Sequence, residues 1–168
     1  KIGAKARGAT LYVTLEPCSH WGRTPPCMET ILKAGIKKVV VGAKDPNPVN
    51  NGKSIKWLKK HGIEVEQGLL SEELTRMNEA FNFWITRERP FMTAKIAQTI
   101  DGKIATTTGE SKWITSSVSR DYARQVRFGF DAIMVGINTV LKDDPQLSTT
   151  PKKRVKKIIL DTHLKISP

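Results

Sequence analysis

The chain has 168 residues, enough for one large domain or two small ones. With 39% apolar and 26% charged residues it is neither disordered, collagen-like nor disulfide-rich, and no apolar run approaches the roughly 18 residues of a membrane span. The net charge of +12 is spread, fifteen basic and nine acidic side chains in residues 1–89 and thirteen and seven in residues 90–168, which argues against a basic nucleic-acid arm and fits a surface that draws phosphorylated small molecules.

Lys1–Arg7 is basic and small with no apolar run behind it, so no secretory signal is read and a cytoplasmic location is expected. The sequence opens on Lys and stops at Pro168 just after an apolar run; both ends are read as cut, and the sequence as a fragment. Residues 9–16 (ATLYVTLE) mix β-branched and aromatic side chains and predict a strand. Residues 17–26 (PCSHWGRTPP), with three prolines and a glycine, predict a loop. Cys27–Ala34 predicts a helix, entered from Pro25-Pro26 and stopped by Gly35. Lys37–Ala43 is almost wholly apolar and predicts a strand buried on both faces. Asp45–Gly52 (DPNPVNNG) is turn chemistry, Ser54–His61 a short helix closed by Gly62, and Ile63–Gln67 a third strand. Ser71 is placed as the N-cap of a helix to about Thr86, with Leu74, Met77, Phe81 and Trp84 or Ile85 on one face. Strands alternating with helices predict parallel pairing through helical crossovers, an α/β unit. A new pattern begins after Arg87–Pro90 (RERP). Phe91–Gln98 is strand-like, Asp101-Gly102 a tight turn, and Lys103–Ala105 a continuation of strand. Ser116 or Ser117 caps a helix to about Phe128, Asp131–Gly136 is a buried strand, and Val155–Asp161 another.

The two cysteines, Cys18 and Cys27, lie nine positions apart. They could be free buried thiols, a short-loop disulfide or two ligands of a metal. A disulfide is disfavoured in a chain read without an export signal. Each follows a proline, and Cys27 opens a predicted helix, where a thiol pKa falls and the thiolate a metal needs is favoured. A catalytic zinc needs a third protein ligand and an open position. His20 is near but could as well face substrate or solvent. His61 and His163 are read as surface residues.

Pro17–Cys27 (PCSHWGRTPPC) resembles the zinc loop of the bifunctional riboflavin-biosynthesis deaminase/reductase family, whose deaminase half has the cytidine-deaminase-like fold. Leu15-Glu16-Pro17-Cys18, Ala34-Gly35-Ile36 and Asp45-Pro46-Asn47-Pro48 extend the likeness. The resemblance implies zinc held by Cys18 and Cys27, and a pyrimidine with its ribose phosphate held by His20, Arg23, Asp45 and Asn47. Asp45 and Asn47 also fit plain turn formation between prolines. The family's H-x-E, source of the third ligand and the proton-shuttle Glu, lies about 25 residues before the first Cys, ahead of Lys1. Glu16 does not replace it, because it ends the strand in the family's own pattern. No catalytic general acid or base is therefore read in residues 1–168, and the fragment by itself is expected to be inactive.

Beyond Pro90 the pieces resemble the start of the same family's reductase, of dihydrofolate-reductase-like fold. They are Thr99–Gly102, Ser111–Thr115, Val135–Val140, Asp143–Leu147 and Leu160–Thr162. The resemblance implies NADPH lined by Ala97, Trp113, Thr139, Asp143 and Thr162, and substrate held by Ser111, Arg127 and Leu147. From the residues alone, Arg120, Arg124 and Arg127 form a basic stripe on one helix, able to grip phosphate or simply to face solvent. Trp113 could equally be core. The Arg expected three residues after Leu147 is Thr150 here, with Arg154 the candidate replacement. The glycine-rich loop for the cofactor phosphate is expected beyond Pro168.

The expectation is thus an α/β chain in two domains, a cytidine-deaminase-like zinc deaminase over 1–89 and a dihydrofolate-reductase-like reductase over 90–168. It acts in riboflavin biosynthesis on a phosphorylated pyrimidine, first by zinc-dependent hydrolytic deamination and then by NADPH-dependent reduction of ribosyl to ribityl. No nucleic-acid or membrane partner is expected; assembly into a homo-oligomer is left open. Two alternatives stand beside it. A stand-alone nucleoside- or tRNA-type deaminase is opposed by the G-R-T-P-P-C loop and the ordered motifs after Pro90. A basic nucleic-acid-binding module is opposed by the even charge and the lack of an exposed aromatic pattern.

Overall fold

The computed structural model describes residues 3–149 and 153–166. The chain divides into two compact units, Lys1–Thr93 and Ala94–Pro168.

In the first unit, β1 (Thr10–Leu15), β2 (Lys38–Ala43) and β3 (Glu64–Gln67) form a parallel sheet in the order β1-β2-β3. Val13 sits opposite Val41, and Val39 opposite Val65. The crossovers are helices α1 (Cys27–Lys33) and α2 (Lys53–Lys60). Parallel neighbours need such crossovers, which is why strand and helix alternate in the sequence. Ile31 of α1, Ile55 and Leu58 of α2, Val39 and Val41 of β2, and Ile63 form the core, flanked by Leu11, Val13, Met28, Ile36, Trp57 and Val65. Each such side chain, fully buried, contributes about 1.5–3 kcal/mol. Residues alternate across a strand, so Val40 and Gly42 face the other side of β2. There α3 (Ser71–Met77) closes in, and a Cβ on Gly42 would overlap the Leu74 side chain. The central strand is therefore covered on both faces, as its unbroken apolar run predicts. α1 and α2 give way to Gly35 and Gly62, both in left-handed backbone (φ +69° and +77°), the role predicted for them.

The helix predicted from Ser71 to Thr86 is instead two, α3 and α4 (Glu79–Arg87), broken at Asn78. Asn78 has non-helical backbone (φ −97°, ψ 17°); its N–H still donates to the Leu74 carbonyl at 3.1 Å, and its Nδ2 shares that carbonyl at 3.0 Å. Ser71 is not the N-cap. Leu70 holds that place in left-handed backbone (φ 53°), and Ser71 is the first helical residue. The predicted apolar face is only partly used, since Met77 and Trp84 are exposed.

In the second unit, β4 (Ala132–Gly136) and β5 (Lys156–Leu160) pair in parallel, with Met134 opposite Ile158. Helix α5 (Ser117–Arg127) precedes β4, and Ser116 is its N-cap, the hydroxyl accepting from Ser119 N at 3.2 Å. Helix α6 (Ile137–Asp143), unforeseen from the sequence, follows β4 directly. Three expectations are corrected. β4 is half-exposed rather than buried, because a two-stranded sheet offers little cover. Phe91–Gln98 and Lys103–Ala105 carry no strand, since a strand needs a ladder partner and, among the described residues, β4 and β5 pair only with each other. The Asp101-Gly102 turn does form, with Thr99 N donating to Lys103 O and Gly102 N to Thr99 O, both at 2.9 Å. Among the described residues no helix is long and apolar enough to cross a membrane.

Candidate metal and substrate site

The first unit's site grows from the ends of β1 and β2. The ladder runs one bond past β1, with Glu16 N donating to Ala43 O at 2.9 Å, and both chains then leave the sheet on the same side. One becomes the cysteine loop, the other the Asp45–Gly52 turn. The edge at the carboxyl ends of parallel strands is where open α/β sheets hold ligands.

Cys18 and Cys27 come together there. Cys27, the first residue of α1, donates its backbone N–H to Cys18 Sγ at 3.1 Å, and Met28 N donates to Cys18 O at 3.3 Å. Both cysteines are free; Cys18 is half-buried and Cys27 exposed. The Cys27 thiol lies above its ordinary pKa, first through its hydrogen bond with Cys18 and then through burial. This reverses the direction expected from a helix terminus, because a second sulfur at contact range opposes charging the first. A divalent cation held by both would invert that balance, since a coordinating thiol gives up its proton. Two convergent sulfurs fit two positions of a tetrahedral zinc. Among the described residues no third His, Cys, Asp or Glu completes a metal-holding group with them.

His20 is half-buried, and its Nδ1 is buried without a hydrogen-bond partner. Arg23 is exposed. Asp45 is buried; Oδ1 accepts from Asn47 N at 2.9 Å and Oδ2 from Asn50 Nδ2 at 3.0 Å. Asn47 Oδ1 accepts from Val49 N at 3.0 Å. Asp45 and Asn47 thus do build the turn. The Asn47 side-chain nitrogen, Nδ2, has no hydrogen bond among the described residues.

Beneath the turn lies a buried polar network that sequence reasoning missed. The Glu16 carboxylate accepts from Gly52 N at 2.8 Å, Asp45 N at 3.3 Å and Ser54 Oγ at 2.9 Å. Glu16 is fully used as a brace, which explains why a strand end there carries a carboxylate. Asn50, completely buried, donates to Pro17 O at 3.1 Å and accepts from Ser19 N at 2.9 Å. The only signal in the sequence was polar density in a turn, which does not distinguish a brace from a solvated loop.

In the second unit, Lys112 Nζ donates to Asp143 O at 3.3 Å, drawing the Ser111–Trp113 segment to the end of α6. The Arg120 guanidinium lies 4.1 Å from the centre of the exposed Trp113 ring, and Arg120 Nη1 donates to Thr115 O at 2.6 Å. Trp113 is therefore not core. The exposed indole is thus stacked under a guanidinium of α5, a cation–π contact. Among the described residues no hydrogen bond or ring contact joins Ala97, Thr139 or Thr162 to this group. Arg127 Nη1 donates to Gln146 O and Ser148 O, each at 3.2 Å, either side of buried Leu147. Leu147 and Arg154 line a cleft of about 330 Å³ with Lys153 and Lys157. Thr150 lies outside the described residues.

Comparison with known proteins gives these two sites a family. Residues 90–168 match the RibD C-terminal domain, and residues 1–43, both cysteines included, match the cytidine and deoxycytidylate deaminase zinc-binding region. The chain is 53% identical to the riboflavin biosynthesis protein RibD of Aquifex aeolicus over 169 residues, 99% of this chain and 48% of that protein. The chain belongs to the RibD family. Escherichia coli RibD is 42% identical over 87% of the chain and 40% of that protein. Among solved structures, Acinetobacter baumannii RibD superimposes with a TM-score of 0.88 at 42% identity, covering 99% of this chain and 49% of that one. The diaminohydroxyphosphoribosylaminopyrimidine deaminase/5-amino-6-(5-phosphoribosylamino)uracil reductase of Thermotoga maritima gives 0.81 at 46% identity, covering 92% and 44%. The chain spans about half the length of the RibD proteins it matches. Its fold class is the one expected, α/β with a cytidine-deaminase-like unit followed by a reductase unit of the RibD type.

Proposed function

We propose that the protein containing this chain works in riboflavin biosynthesis as a bifunctional enzyme. Residues 1–89 belong to a hydrolytic deaminase of diaminohydroxyphosphoribosylaminopyrimidine. Residues 90–168 belong to a reductase that converts the ribosyl group of 5-amino-6-(5-phosphoribosylamino)uracil to ribityl with NADPH. The observation that carries this reading is the convergence of Cys18 and Cys27 at the carboxyl edge of a parallel sheet, inside the stretch that matches a deaminase zinc-binding region.

Cys18 and Cys27 would hold zinc, and the chemistry zinc supplies when bound is activation of water at neutral pH. His20, whose buried Nδ1 is unpartnered, would orient the pyrimidine together with the unpaired Asn47 Nδ2. Asp45 would bind substrate from a carboxylate already locked in place by Asn47 and Asn50. Arg23, exposed and cationic, would take the ribose phosphate. In the second unit Trp113, Asp143, Ala97, Thr139 and Thr162 would line the nicotinamide cofactor, which supplies hydride. Ser111, Arg127 and Leu147 would hold the substrate, Arg127 in part by fixing the carbonyls around Leu147.

The test is to assay the full-length protein for ammonia release and for NADPH oxidation, before and after a zinc chelator. Chelation should stop ammonia release and spare NADPH oxidation on the deaminated substrate. Deamination that survives complete zinc removal would overturn the zinc assignment.

A further inference from the structure

One side chain grips Cys18 from both sides. Asn50 has none of its surface exposed. Its Nδ2 donates to Pro17 O at 3.1 Å and to Asp45 Oδ2 at 3.0 Å, while Oδ1 accepts from Ser19 N at 2.9 Å. Pro17 and Ser19 flank Cys18, so a single amide spans the residue from a loop more than thirty positions away. Among the described residues neither the Pro17 carbonyl nor the Ser19 N–H has another partner. The orientation of the amide is decided by this network, because the flipped form would set its oxygen against the Pro17 carbonyl and the Asp45 carboxylate. From Cys18 the bonds continue to Cys27 N and Met28 N at the start of α1. Asp45, Asn50, Cys18 and the second cysteine are therefore linked in one connected series.

We infer that Asn50 is a positioning residue of the metal centre: by fixing the two peptide groups around Cys18 it sets that sulfur opposite Cys27 and couples it to the substrate turn through Asp45. The inference rests on the reading that Cys18 and Cys27 hold zinc. Partners that orient metal ligands typically cost 10- to 100-fold in metal affinity when removed.

Asn50→Asp is the informative variant. It keeps the size and the acceptor for Ser19 N, loses both donated bonds, and sets a carboxylate against Asp45. Asn50→Ser, which opens space instead of adding charge, runs beside it. Zn²⁺ affinity is measured in the full-length protein by competition with a chromophoric chelator. Co²⁺ substitution reports the thiolate-to-metal absorption, and each variant's Tm is recorded. Whichever Asn50 variants fold should bind Zn²⁺ about 10- to 100-fold more weakly, with an altered Co²⁺ spectrum. Leu58→Ala, in the apolar core, supplies the comparison: it lowers Tm but should leave Zn²⁺ affinity within about two-fold, as for distant independent sites. Wild-type zinc affinity and spectrum in the folded Asn50 variants, with binding abolished by Cys18→Ser, would overturn this inference alone. Zinc retained by Cys18→Ser would overturn the underlying reading instead.

Discussion

Arg127 shows how one side chain can serve both fold and ligand. From the sequence, the helix stripe Arg120, Arg124, Arg127 could grip phosphate or simply face solvent. The structure puts Arg127 between two backbone carbonyls and Arg120 over Trp113. Burial, then the neighbouring Arg124, lowers the Arg127 pKa, but a guanidinium keeps its charge in this range. Hydrogen bonds from a charged donor are stronger than neutral ones, and partial exposure discounts them. Arg127→Ala should therefore cost about 1–2 kcal/mol in denaturant unfolding, besides any loss of substrate binding. Arg127→Lys should recover part of that stability, because an ammonium can still reach one carbonyl, yet not the substrate affinity that needs a planar fork. Full recovery of both by Lys would contradict a role for the guanidinium's shape. The cysteines and Arg127 were legible because their chemistry is rare or charged. Asn50 was not, because its value lies in bonds to Pro17 and Ser19 across more than thirty positions, which no local pattern carries.

At the scale of elements, β2 organises the first unit, and Gly42 is its most constrained position. Gly42→Ala should destabilise by about 1–3 kcal/mol through overpacking against Leu74. Leu74→Ala should relieve part of that cost, so unfolding of the double variant should show a coupling of about 0.5 kcal/mol or more. Strict additivity would mean that α3 does not pack on β2 as described. On the adjoining edge, Lys38 bridges Glu64 at 2.9 Å and Glu66 at 3.0 Å, tying β2 to β3. Its pKa is raised, first by Glu64 and then by Glu66. A raised folded pKa means a contribution present below the unfolded lysine value and lost as pH rises through the folded one. Lys38→Met should lower the unfolding midpoint equally at pH 7 and pH 9, and less at high salt. A difference that fades between those pH values would contradict the ion pairs. The strands, α1, α2 and α5 were legible because apolar runs, prolines and helix-stopping glycines punctuate them. The break at Asn78, the short α6 and the missing strand at Phe91–Gln98 were not. The strand fails for want of a partner outside its own window, a ladder that 91–98 does not find, whereas the break at Asn78 rests on a local bond to Leu74 that the apolar pattern does not register.

At the scale of the molecule, the chain carries two compact units with separate sheets. We place the functional boundary near Arg89-Pro90, and trypsin under native conditions should cut after Arg87, since the Arg89-Pro90 bond resists it, before it reaches Lys37 or Lys38. Early loss of β2 would contradict the boundary. If the proposed function holds, the substrate carries its phosphate through both reactions, and the positive charge over both units should then make KM for each rise with ionic strength. Whether Cys18 and Cys27 form part of a zinc centre is decided by metal analysis of the full-length protein. Zinc is to be measured after exhaustive dialysis in the wild type, in Cys18→Ser and in Cys27→Ser, with Tm recorded for each. The account predicts stoichiometric zinc in the wild type and its loss in both variants, along with ammonia release. Zinc retained at the wild-type level in either folded variant would contradict it.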